Sequence, residues 1–156
     1  MNRIILLLGV CLMIGASPAG AAEAGIWRSD TAHGYERYWT ENRDGARFAI
    51  WCPPSHDIKA ALIGIDINGR LPAPDTVVRV ELNRKLIKFR VGHDGYIHNT
   101  CASCPDNLTY FWHQMRSAPR VMVLFDDKRY AGFSLRGIQK ATPHSVCASQ
   151  LSRNTR

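Results

Sequence analysis

Residues 76–91 read Thr-Val-Val-Arg-Val-Glu-Leu-Asn-Arg-Lys-Leu-Ile-Lys-Phe-Arg-Val, and this stretch decides the fold class. Val78, Val80 and Leu82 alternate with Arg79 and Glu81; Ile87, Phe89 and Val91 then alternate with Lys88 and Arg90. A period of two marks a half-buried strand, because successive side chains leave a strand on opposite faces. Two such runs in succession predict an antiparallel hairpin whose like faces lie opposite each other. The register Leu82 with Ile87, Val80 with Phe89 and Val78 with Val91 meets that condition and puts Arg84-Lys85 at the tip. A one-residue slip would set Val80 against Lys88. Arg-Lys is a poor two-residue turn, so a four-residue loop from Asn83 to Leu86 fits equally well.

The same period recurs upstream. Phe48, Ile50 and Cys52 alternate with Arg47, Ala49 and Trp51, and Pro53-Pro54 ends that strand. Ile63, Ile65 and Ile67 share a face, and Asn68-Gly69 closes their run. Residues 71–75 read as a loop. Downstream, Leu108, Phe111, Trp112 and Met115 recur at helical spacing, with Pro105 near the start and Pro119 past the end. A second hairpin is expected from Val121 to Leu135, turning at Asp126-Asp127, with Phe125 facing Ala131, Val123 facing Phe133 and Val121 facing Leu135. Residues 137–142 allow a helical turn. The expected fold is mainly β, α+β at the margin: an antiparallel β-sandwich or partial barrel with one or two short helices, stapled by disulfides. It occupies one domain over residues 25–148, followed by a flexible tail over 149–156.

Asn2-Arg3, the apolar run from Ile4 to Ile14 and the site Ala22-Glu23-Ala24 have the order of a cleaved signal peptide over residues 1–24. The apolar run falls well short of the roughly 20 residues that span a bilayer, and no later stretch reaches that length. Val10 stands where a lipid-anchor motif wants a small residue, so lipidation at Cys11 is the weaker reading. The expected location is periplasmic or secreted. Export to an oxidising compartment makes Cys52, Cys101, Cys104 and Cys147 a disulfide framework with three conceivable pairings. Cys101 and Cys104 are close enough to pair locally, which leaves Cys52 with Cys147.

A strand ending in Cys52, a strand pair, a short helix and the ending Gly132-Phe133-Ser134-Leu135-x-Gly137 with a later Cys147 form an outline. It resembles small exported proteins of the invasion-associated locus B family and of the type VI secretion-associated VasI family. Cys101-x-x-Cys104 ahead of a helix is similar to the first; the Cys52–Cys147 pairing is similar to the second. The resemblance spans roughly residues 46–147 and brings no catalytic residue. It implies a β-rich, disulfide-bonded, non-enzymatic periplasmic protein.

The chain carries a net charge of +7, unchanged by removal of residues 1–24, which hold one Arg and one Glu. That charge favours anionic partners. Arg79, Arg84, Lys85, Lys88 and Arg90 form a basic stripe on the outward side of the first hairpin: an anion-contact surface, or a solvated face that discourages edge pairing, partly offset by Glu81. Nucleic acid is not expected, since no stacking aromatics interleave with these charges. Cys101-Ala-Ser-Cys104 has thiol–disulfide spacing but lacks a thioredoxin-like strand–turn–helix ahead of it. Pro105 stands where haem attachment needs His. His98-x-x-Cys101-x-x-Cys104 and His144-x-x-Cys147 have metal-ligand spacing, which disulfides would pre-empt. Of Trp27, Trp39, Trp51 and Trp112, Trp51 falls on the strand face opposite Phe48 and Ile50.

No Ser/His/Asp arrangement is visible, so the expectation is a non-enzyme without metal or cofactor. Its expected role is binding another envelope or secretion-system protein. The alternatives are a periplasmic thiol–disulfide or metal-handling protein using Cys101 and Cys104, and a binder of anionic envelope surfaces through the basic hairpin face.

Overall fold

The computed structural model describes residues 24–148, so the expected tail, and the expected signal peptide apart from Ala24, lie outside the described residues. Two open antiparallel sheets form the fold. One holds β1 (Arg28–Ala32), β2 (Tyr35–Glu41), β3 (Arg47–Cys52), β4 (Leu62–Asp66) and β7 (Ile97–His98), in that spatial order. The other runs β6 (Lys85–Arg90), β5 (Val77–Leu82), β8 (Arg120–Leu124), β9 (Tyr130–Ser134). Helices α1 (Cys104–Ser117) and α2 (Ile138–Ala141) complete it. This is the mainly β, disulfide-stapled architecture expected, with neither sheet closed into a barrel.

Both hairpins form with the expected faces, but each register is tighter by two residues. Val80 pairs with Ile87 and Val78 with Phe89, so the tip is Asn83-Arg84, not Arg84-Lys85. Asn83 and Arg84 both take left-handed backbone, φ 51° and 62°, which is what a two-residue turn matched to strand twist requires. In the second hairpin Val123 pairs with Ala131 and Val121 with Phe133. Lys128, at φ 68°, lets Phe125 close directly on Arg129. A shift of two keeps every apolar residue on its face, so alternation alone leaves the two registers equivalent.

The β1–β2 hairpin is an addition to the expected elements. On β2 the inward residues include Thr40, fully buried, and Glu36, beside Tyr38; the polar members break the apolar alternation.

The two sheets and α1 share one core. The Phe48 ring lies 5.7 Å from that of Phe133 on β9 and 6.2 Å from that of Phe111 on α1. Leu108, Phe111, Trp112 and Met115 are buried, as their helical spacing predicts. Each fully buried side chain of this size stabilises the fold by about 1.5–3 kcal/mol. Trp112 Nε1 donates to the His144 carbonyl, and the Arg116 guanidinium donates to the Thr142 and Pro143 carbonyls. Those bonds hold the segment that brings Cys147 to Cys52. The second disulfide is Cys101–Cys104. Both bonds suit an oxidising, extracytoplasmic compartment. Among the described residues no helix is long and apolar enough to cross a membrane.

Candidate functional site

The open side of the sandwich lies where the edge strands β6 and β7 face each other. There the sheets diverge and leave a cleft of about 380 Å³. Its floor is apolar and is drawn from both sheets and the helix: Ile63, Phe89, Ile97 and Leu108. One wall is the Cys101–Cys104 disulfide at the start of α1, where the Cys104 amide donates to the Cys101 carbonyl. The opposite wall is β6 itself, from Lys88 to Val91. His98 Nε2 sits 2.9 Å from the Asp94 carboxylate at the rim. An added Cβ at Gly92 would lie 2.6 Å from His98 Cδ2, so only glycine lets that ring pack against the loop.

The structure divides the basic stripe. Arg79, Lys88 and Arg90 share the outer face of the four-stranded sheet, as expected. Arg79 is not available, because Asp126 Oδ1 binds it at 2.7 Å. Lys85 is a correction: the tighter register turns it toward the helix, where its ammonium meets Tyr110 Oη at 2.9 Å. Arg84 occupies the turn. Glu81 pairs with Leu86, and Lys88 pairs with Arg79, so no carboxylate stands opposite Lys88. Lys88 and Arg90 make no salt bridge among the described residues. Around them the face mixes Glu81 with exposed apolar and aromatic side chains: Leu86 is 58% exposed, Leu124 40% and Tyr130 71%. Lys88, Arg79, Leu124 and Tyr130 follow one another across the four strands.

The outer face of the five-stranded sheet is built differently; the strand pattern places Trp51 there, as observed, but not Arg37 or Trp39. Trp27 and Trp112 are core, whereas Trp39 and Trp51 lie on this face. The Arg37 guanidinium stacks on both, 4.9 Å from Trp39 and 5.1 Å from Trp51. Arg28 and Arg47 stack on Trp39 as well. Asp30 grips Arg37 through both carboxylate oxygens, at 2.8 and 2.6 Å. The hydrogen bond from Arg37 holds the Asp30 carboxyl below the usual carboxylate range, against the pull of burial. The same bond raises the Arg37 pKa. Glu41 binds Arg47 at 2.8 Å. Gly64 is part of the design: a Cβ there would come within 2.9 Å of the Tyr96 ring that lies beside Trp51. The missed signal was Arg37-x-Trp39, two residues apart on one strand face.

The metal and redox candidates separate. Cys101, Cys104 and Cys147 are all in disulfides, which removes the thiolates that the metal spacing required. His98 bonds Asp94, and the His144 ring lies 5.8 Å from that of His113. No group of three or more possible metal ligands occurs among the described residues. The Cys101–Cys104 bond remains partly exposed at the beginning of a 14-residue helix.

A family model described as YfjT matches residues 25–142, which is most of the chain. No curated protein and no solved structure matches it.

Proposed function

The chain belongs to the YfjT family, and from that premise we propose that it is a non-catalytic binding protein of the periplasm or the secreted fraction. Its partner is another envelope or secretion-system protein with an acidic surface. The supporting observation is the pair Lys88 and Arg90, two cations that make no salt bridge among the described residues, beside exposed Leu86, Leu124 and Tyr130. Contiguous apolar surface ringed by charge is the usual mark of a protein contact. The mixture fits a protein better than an anionic lipid or polysaccharide surface, which would need charge without the aromatic and aliphatic cover. Affinity capture from an envelope extract, with the parent and with Lys88→Glu/Arg90→Glu, tests this. The parent should retain an acidic partner that salt displaces, because charges exposed to solvent act only over about 8 Å at physiological ionic strength. Equal capture by the variant would remove the reading.

A second reading rests on the disulfide wall of the cleft. A bond that is partly exposed, at a helix start and beside a cavity, has the placement of a thiol–disulfide exchange site. Equilibration against a glutathione redox buffer distinguishes the two. A reduction potential below about −300 mV means a structural bond, and one near −200 mV an exchanging one.

A further inference from the structure

We propose that the edge of β6 and the cleft beside it take an extended segment of a partner polypeptide as an added strand, with side chains alternating apolar and acidic. This rests on the reading that the face binds an acidic protein, and it specifies how.

β6 is the terminal strand of its sheet. In an antiparallel pair, residues alternate between bonding the partner strand and turning their main-chain groups away from it. The bond from the Val91 amide to the Thr76 carbonyl, 2.9 Å, sets the phase. With the observed register, Lys85, Ile87 and Phe89 bond to β5, while Leu86, Lys88 and Arg90 present N–H and C=O groups to the open edge. The cleft follows that edge from Lys88 to Val91. A strand added there would point alternate side chains to opposite faces. One set would enter the floor formed by Ile63, Phe89, Ile97 and Leu108. The other would lie on the outer face next to Lys88 and Arg90.

Charge selects the occupant. A second copy of the chain adding its own β6 would bring Lys88 and Arg90 against Lys88 and Arg90. Like charges placed opposite each other on neighbouring strands are destabilising. Residues 149–156 carry Arg153 and Arg156 and no acidic side chain, so that segment has the wrong sign. Basic residues on an edge strand guard against indiscriminate pairing. Here the same guard admits a segment that brings carboxylates.

The test uses the disulfide-intact protein and a short blocked peptide alternating Glu with Val and Leu, followed by NMR titration. The expected shifts centre on the amides of Leu86, Lys88 and Arg90. Lys88→Pro is the discriminating variant, because the residue 88 amide lies outside the β5–β6 ladder and proline is tolerated on an edge strand. Lys88→Ala removes the same charge and keeps the amide. Lys88→Pro should bind the peptide about ten-fold more weakly than Lys88→Ala, the effect of losing one hydrogen bond, with the same melting temperature. Equal affinity in those two variants, with a further loss in Lys88→Glu/Arg90→Glu, would overturn strand addition and leave the acidic-surface reading standing. No peptide binding at millimolar concentration would overturn strand addition, and a charge-reversed variant that also captures partner like the parent would take the wider reading with it.

Discussion

On the outer face of the five-stranded sheet, Arg37 is stacked between two tryptophans and gripped by Asp30, and Arg47 is held by Glu41. On the outer face of the four-stranded sheet, Lys88 and Arg90 stand beside exposed leucine and tyrosine. Both faces are rich in basic residues, but their cations are spent differently. A guanidinium with a carboxylate and two indole faces contributes to the sheet it lies on and has little left for a partner. A cation without an internal partner keeps its field for something outside. The number of charges on a face is therefore a poor guide to binding; their local pairing is a better one.

The largest expected effect tests what holds the sandwich together behind these faces. Cys147→Ser opens a loop closed across 95 residues, worth about 4–5 kcal/mol on the chain-entropy account. Cys104→Ser opens only a local loop, worth about 2 kcal/mol on the same account. The melting temperature should therefore fall far more for the first. Equal falls would mean that the open side of the fold is as tightly held as the other.

Trp39→Ala comes next. It removes the ring on which three guanidinium groups stack. At about 0.5–1 kcal/mol for each such contact, urea denaturation should register a loss of about 2 kcal/mol. A change within about 0.5 kcal/mol, typical of simple surface substitutions, would make the two faces alike and break the comparison.

Lys88→Glu/Arg90→Glu should alter stability by less than about 0.5 kcal/mol per site in the same experiment while abolishing partner capture. A marked loss of stability would show that these cations, too, serve the fold.

The smallest effect sharpens the contrast through pH. Asp30 has a folded-state pKa depressed chiefly by its hydrogen bond from Arg37. Its contribution is present above the ordinary carboxylate range, near pH 4, and is lost as pH falls through the lower folded value. Asp30→Asn should flatten that acid-side decline, by less than about 1 kcal/mol for so exposed a pair. An unchanged profile in urea melts between neutral pH and pH 3 would assign the decline elsewhere.

Much of the fold was legible because apolar alternation and helical spacing are written into consecutive residues. Val78, Val80 and Leu82, or Leu108, Phe111, Trp112 and Met115, need no distant partner to declare their face. The β1–β2 hairpin was not, because Glu36 and Thr40 on its inner side hide the pattern. Of the site, the stripe was legible as a set of charges but not as a sorted set: Asp126 claims Arg79 and Tyr110 claims Lys85. Asp126 lies 47 residues from Arg79, and no local rule connects them.

Reading along the chain was enough for the inward residues of β3–β6, β8, β9 and α1, the mainly β class, the disulfide partners and the surplus of positive charge. These follow from periodicity, counting and proximity along the chain. Packing in three dimensions set the register of each hairpin, the meeting of β6 and β7 around a cleft, and which cations of the described residues go without a salt bridge. Alternation is blind to a shift of two residues, so the left-handed backbone at Asn83, Arg84 and Lys128 had to choose. Pairing between charges depends on which strands become neighbours, and that is settled when both sheets and α1 close on one core.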